Sequence, residues 1–294
     1  MPLDPAYLLQ LTANGVILGL LYALIVAGLA LIFGVLEIIN FAHGEFLMAG
    51  AYAMAFILPL FGLNYWPAMA AAVLLTGLAG FVVYELFLAR VGQSEFERAI
   101  LITLGLSMIL VYGAQYLFSA TPRLVDTNFG FAGLDIGTVR ITWTRIVAGA
   151  EALAAFAGLY GVLNFTQFGR AMRAIAQNRE AALMVGIRPK QVARNAVMLA
   201  TALCGLAGAA LAPMQTVQPG MGQAVIFKAF ALVIIGGLGN MAGAVTAALV
   251  LGLLESWIGG FLDIAWQNGA VFTAMILVLL LRPDGLFQRG GMRL

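Results

Sequence analysis

The sequence predicts an all-α, polytopic membrane helix bundle of eight or nine spans with broken helices, built as a single domain over residues 1–294. Three observations lead there. Of the 294 residues, 63% are hydrophobic and 10% charged, with a mean hydropathy of +1.00; a soluble domain carries roughly 25% charged residues. So few charges cannot cover a globule with a wetted surface, and lipid must solvate most of the chain. The apolar residues also gather into runs close to the roughly 20 residues that cross a hydrocarbon core of about 30 Å. Finally, polar, glycine-bearing breaks interrupt those runs at Asn40–Glu45 and Gly236–Asn240.

In chain order the runs are Leu8–Leu36, Phe41–Phe61, Trp66–Leu88, Ala99–Phe118, Trp143–Phe165, Asn195–Pro213, Ala224–Ile235, Met241–Ile258 and Trp266–Leu281. The first has no positive segment or cleavage pattern before it and reads as a span, not a removable signal peptide. The seventh is too short to cross alone and reads as a half-helix, a tilted piece or part of a re-entrant turn. Trp66, Trp143 and Trp266 stand at the starts of runs, and Trp257 fits the same side, as interfacial aromatic belts do.

Lysine and arginine set the orientation, because they stay cytoplasmic in short loops. Arg170, Arg173, Arg179, Arg188, Lys190 and Arg194 cluster between the fifth and sixth runs and place that segment, about 167–194, inside. Counting outward puts Arg90, Arg98, Arg282, Arg289 and Arg293 inside too, leaving Arg123, Arg140 and Arg145 outside. The expected arrangement is N-terminus outside and C-terminus cytoplasmic in a bacterial inner membrane, with Ser119–Thr142 the longest external segment. Glu85 is expected to pair with Arg90 or to sit near the inner interface.

Several classes of function are excluded. The net charge of +2 is too small for a nucleic-acid binder. With Cys204 and His43 as the only cysteine and histidine, disulfides, cysteine metal sites and multi-histidine metal or proton-relay sites are ruled out. No nucleophile–base pair marks a membrane enzyme. No GxxxxGK[ST] sequence is present, so this chain does not hydrolyse ATP itself.

The first break, NFAHGEFLMAGAY at Asn40–Tyr52, places Asn40, His43 and Glu45 around Gly44. Irregular backbone survives at membrane depth only where protein or water surrounds it, and an ionisable group within a span costs a few kcal/mol or more. The break either lines or gates a translocation path, or its side chains merely satisfy the ends of a broken helix. Gly236-Gly237-Leu238-Gly239-Asn240 repeats the theme after the seventh run, and repeat-built transporters place such interrupted segments beside the substrate path.

The run INFAHGEFLMAGAY closely resembles the signature of permeases in branched-chain amino acid ABC importers of the Liv type, and it looks most like the first, H-like, of their two permease subunits. GRAMRAIAQNREAALMVGI (Gly169–Ile187) and VIIGGLGNMAGAVTAALVLGLLES (Val233–Ser256) fit the same family in the same order. The resemblance implies a permease subunit that pairs with a second, homologous or identical, permease. It also implies two ATP-binding-cassette ATPase subunits on the inner face, which bind the ATP and Mg, and an extracytoplasmic solute-binding protein on the outer face. No cofactor is implied in this chain. The cargo would be leucine, isoleucine, valine or a related amino acid; relatives with nearly the same signature carry urea, amides or small carboxylic acids.

Within Gly169–Ile187, Met172, Ile175, Ala182 and Leu183 recur at roughly helical spacing, with Arg170, Arg173, Gln177 and Arg179 between them. That predicts one short amphipathic helix outside the membrane, and the alternative is a basic loop held inside by its charge. Glu180-Ala181-Ala182 followed by Gly186 resembles the start of the permease EAA loop, which docks on the ATPase. The resemblance thereby assigns coupling to Gly169, Arg170, Arg173, Arg179, Glu180, Ala181, Ala182 and Gly186, although the usual downstream Ile-x-Leu-Pro is missing. Path or gate roles fall to Asn40, Phe41, His43, Gly44, Glu45, Gly236, Gly237, Gly239, Asn240 and Glu255. The small residues after Asn240 are explained by close helix packing. Lys228 and Glu255 read as isolated charges, Lys228 either facing the bundle or snorkelling to a surface. The rival from another class is a stand-alone secondary transporter or channel, which needs a coupling-ion site that the few buried charges do not supply.

Overall fold

The structure, a computed structural model, describes residues 5–62, 64–91, 96–129, 132–137, 139–237, 239–263, 265–282 and 285–286. Leu238, Arg289 and Arg293, which figure in the sequence reading, lie outside the described residues. All nine apolar runs are helices: α1 (Pro5–Leu36), α2 (His43–Leu60), α3 (Tyr65–Leu86), α4 (Phe96–Phe118), α5 (Trp143–Phe165), α8 (Pro189–Leu211), α9 (Met221–Gly236), α10 (Met241–Phe261) and α11 (Ala265–Leu281). Lipid leaves no other route to pair every backbone group within a segment. Seven are long and apolar enough to span a membrane; α9 and the apolar part of α11 are shorter. The chain is a multi-pass membrane protein. At 16 residues, α9 rises only about 24 Å. It starts three residues earlier than predicted, after Gly220 turns the chain at φ +85°.

Two helices form the hub. In α1 every residue from Leu21 to Ile32 is buried, and in α8 the buried face runs from Val192 to Leu211. Without a hydrophobic driving force in lipid, helices adhere by close van der Waals approach, and small residues permit it. A Cβ on Gly15 would lie 2.8 Å from Leu253 Cα, and one on Gly19 would lie 2.9 Å from Leu249 Cα, so α1 and α10 run antiparallel in near-backbone contact. Gly208 abuts Leu47 of α2, Gly50 of α2 abuts Gly205, and Gly205 takes Thr76 of α3. By contrast α4 and α5 form an outer ring, with only 28% of their apolar windows buried against 72% for α1.

At one end of the bundle the chain departs from all-α. β1 (Gly133–Ile136) pairs antiparallel with β2 (Val139–Thr142) around Gly137, whose φ is +63°. The hairpin is tied to α1 by Gln10, whose side chain bonds the Arg140 backbone in both directions at 2.8 and 2.9 Å. Arg123 and Val217 exchange two backbone bonds of 2.8 Å beside it. The opposite end carries Arg90, Arg170, Arg173, Arg179, Arg188, Lys190 and Arg194. There Glu85 faces Arg194 at 3.7 Å, not Arg90, because α3 and α8 run side by side. Leu286 N–H closes on the Ile235 carbonyl at 2.8 Å.

Replacing Gly208 with valine drives two methyls into the Leu47 backbone. Thermal unfolding in detergent should show a loss of about 1–3 kcal/mol, the usual cost of overpacking. Gly105→Ala, whose Cβ meets nothing within 4 Å, should leave stability within about 0.5 kcal/mol.

Candidate functional site

The first break is sunk into the bundle. After α1 ends, Glu37 turns the chain at φ +56° and a short non-helical stretch returns to His43, where α2 starts. His43 is fully buried. Its Nε2 donates to the Ile25 carbonyl at 3.1 Å, and its ring lies 3.1 Å from where a Gly28 Cβ would stand. The Cys204 thiol donates to the His43 carbonyl at 3.2 Å. Gly28 lies eight residues before the end of α1, so α2 begins about 12 Å inward of it at 1.5 Å per residue.

The bare backbone there is answered by protein. Asn40 Oδ1 accepts from Ala42 N–H at 3.1 Å, the Asn40 carbonyl accepts from His43 N–H at 3.2 Å, and Thr103 of α4 donates to the Ile39 carbonyl at 3.3 Å. Glu45, also fully buried, accepts from Ser107 Oγ at 2.9 Å through Oε1. Its other oxygen has no protein partner and faces Gly222. Asn40 therefore satisfies helix ends, while Glu45 and the unpartnered His43 Nδ1 keep spare hydrogen-bonding capacity.

α9 links this break to the second. Gly44 packs on Gly222 and Ile226, and the Phe41 and Phe230 rings stand 4.8 Å apart. At its far end Gly236 abuts Ala244 so closely that no side chain fits, and Gly237 and Gly239 turn at φ +95° and +84°. Asn240 Oδ1 then accepts from Gly243 N–H at 3.0 Å and caps α10. An asparagine thus answers the backbone at both breaks.

Lys228 does not snorkel, nor is Glu255 isolated. Lys228 Nζ lies 2.6 Å from Glu255 Oε1 and 3.2 Å from the Tyr22 hydroxyl, which itself donates to the same carboxylate oxygen at 3.2 Å. Both charged residues are under 10% exposed. One ion pair with a phenol clamp therefore fastens the middle of α9 to α1 and α10. Sequence reasoning missed Tyr22 and Ser107, which carry no signal of their own. Lys228, a lone cation in an apolar helix, did carry one.

The basic segment is two helices where one was expected: α6 (Gln167–Gln177) and α7 (Arg179–Met184). Asn178 divides them, its Oδ1 accepting from Ala181 N–H at 2.9 Å to cap α7, as asparagine does far better than it fills a helix interior. Met172 and Ile175 bury against the bundle. Gly169 packs on the Leu163 carbonyl and Arg173 donates to that same carbonyl, so these two hold the corner between α5 and α6. Gly186, at φ +84°, closes α7 with bonds from its own N–H to Leu183 and from Ile187 N–H to Ala182, both 3.0 Å. Arg170, Glu180 and Ala181 are exposed, Arg179 is half-buried and Ala182 is buried. At the tip, Leu183, Met184 and Val185 are 54%, 88% and 77% exposed.

A helix bundle with two polar breaks sunk among its spans and a structured basic corner at one end defines a polytopic membrane protein. The family described as branched-chain amino acid transport system, permease component, matches residues 11–281, and the chain belongs to it. It is 30% identical to the high-affinity branched-chain amino acid transport system permease protein BraD of Pseudomonas aeruginosa over 98% of both chains. It is 28% identical to LivH of Escherichia coli K12 over 96% of both. The LivM permease of the same bacterium is 24% identical over 92% of this chain and 68% of LivM. No solved structure matches.

Removing one member of a buried ion pair strands the other. Lys228→Met and Glu255→Gln should each destabilise the chain by about 3 kcal/mol, and the double variant should recover much of that loss. Thermal unfolding of all four forms measures the coupling; strictly additive losses would show that the contact contributes nothing.

Proposed function

We propose that this chain is the permease subunit of an ABC importer that carries branched-chain or closely related amino acids into the cytoplasm. Belonging to the branched-chain permease family, with near full-length likeness to LivH and BraD, supports the cargo class. In this reading the basic end is cytoplasmic, the hairpin end is external, the N-terminus lies outside and the C-terminus inside. The retention of cations on the cytoplasmic side supports it. A second permease, homologous or identical, completes the path. Two ATPase subunits bind the inner face and an extracytoplasmic binding protein delivers the solute.

The observation that carries the reading is the tip of α7. Three apolar side chains stand exposed on a capped, hydrogen-bonded corner, in a segment whose Arg170, Glu180 and Arg188 are also exposed. An exposed apolar patch with a charged rim is an interaction surface, and a rigid one can pass motion into the spans. Asn40, Phe41, His43, Gly44 and Glu45 at the first break, and Gly236, Gly237, Gly239, Asn240 and Glu255 at the second, line or gate the path. The spare oxygen of Glu45 offers an acceptor to the ammonium of an amino acid.

Co-purification with the ATPase subunits tests docking. Changing both Leu183 and Met184 to aspartate should abolish association while membrane insertion and helicity persist. Undiminished association would refute the docking role. In proteoliposomes containing the full complex, uptake of labelled leucine should require ATP and the binding protein. Uptake by this chain alone, without nucleotide, would instead establish a stand-alone transporter.

A further inference from the structure

A cavity of about 320 Å³ opens at the basic end between the end of α3, the turn after it, α7 and the start of α8. Three cations line it from three separate elements: Arg90 after α3, Arg179 at the start of α7 and Lys190 at the start of α8. Among the described residues none of the three has an acid within ion-pair distance; the nearby carboxylate of Glu85 faces Arg194. Arg90 and Lys190 are exposed and Arg179 is half-buried, so three like charges share one solvent-accessible recess, a placement that favours an anion between them. Its remaining wall is apolar, from Leu36, Ile38, Leu88 and Val91, with the buried Tyr84 beside it. Just before Leu88, Leu86 and Phe87 are exposed, so the apolar outer surface of α3 reaches the rim.

We propose that this cavity binds the phosphate of an anionic phospholipid headgroup from the leaflet at the basic end. The guanidinium forks of Arg90 and Arg179 suit phosphate oxygens in paired geometry, Lys190 adds a point charge, and the apolar wall takes the glycerol and the first acyl carbons. Basic pockets between transmembrane helices at the cytoplasmic side hold such headgroups. The inference rests on the orientation proposed above for naming the leaflet, but the site itself does not need it. A bound headgroup joins α7 to the turn after α3, so occupancy steadies the corner that carries the exposed tip.

Lipid binding to the purified chain in neutral detergent tests this without ATPase or solute. Native mass spectrometry should retain phosphatidylglycerol and not phosphatidylcholine. R90Q/R179Q/K190Q should weaken that retention about tenfold or more, each cation near the headgroup counting in the affinity. R170Q/R188Q, which removes charge from the same end but outside the cavity, should leave it unchanged. Circular dichroism of each variant checks folding, and Lys190→Gln alone should give an intermediate loss. Equal retention in the triple variant and wild type overturns the site. Displacement of the lipid by millimolar inorganic phosphate, with the same sensitivity to the triple variant, overturns the lipid assignment in favour of a soluble phosphate. Retention that persists while labelling maps the basic end outside refutes the orientation and leaves the site standing.

Discussion

The structure turns on the cost of leaving backbone polar groups bare in hydrocarbon. Helices remove that cost along most of the chain, yet α2 starts inside the bundle beside Ile25, Gly28 and Cys204. Each exposed group at that start has to be met by a neighbour, and the neighbours explain residues that packing alone does not. Asn40 folds back on Ala42, Thr103 reaches across from α4, and the Cys204 thiol finds the His43 carbonyl. The same constraint explains the glycines: Gly28 leaves room for the imidazole and Gly222 leaves room for the Glu45 carboxylate.

Charge at membrane depth follows a parallel logic. A lone lysine or glutamate in lipid is expensive, and neither Lys228 nor Glu255 is left alone. Their pairing is bought with the loss of two hydration shells, so it gives little net stability but fixes where α9 can lie. The position matters because α9 is short and touches both breaks, through Gly222 and Phe230 at one and through Gly236 at the other. A contact that discriminates between positions more than it stabilises suits an element that, in the proposed importer, sits between the two segments assigned to the path.

What was legible in the sequence followed from one-dimensional signals. The nine apolar runs became nine helices because lipid leaves no alternative backbone state, and Gly186 ends α7 as a left-handed glycine should. The hairpin is hidden from hydropathy, because Leu134-Asp135-Ile136 and Val139-Arg140-Ile141 alternate around Gly137, a pattern of period two that windows average away. The apolar spacing continues through Asn178 and so predicts one helix, but its capping bond to Ala181 wins locally. The Lys228–Glu255 pair could not be read at all as a pair. The two residues sit on different helices, 27 positions apart, with no repeat to join them.

In the proposed importer, movement at the exposed tip must reach the first break, and α8 is the direct mechanical connection. Ile187, two residues before α8, is hydrogen-bonded back to Ala182 in α7, which ties the short link into α8 to the corner. From there the uninterrupted α8, 23 residues long, carries displacement to Cys204, whose thiol bonds the His43 carbonyl, and to Gly208, which meets the Leu47 backbone with no side chain to cushion the contact. Close-packed backbones transmit a shift that flexible side chains would absorb. The small residues on α8 thus serve adhesion in lipid and stiffness in transmission together, so the first break takes its backbone packing from this helix, while α4 reaches it through the side chains of Thr103 and Ser107.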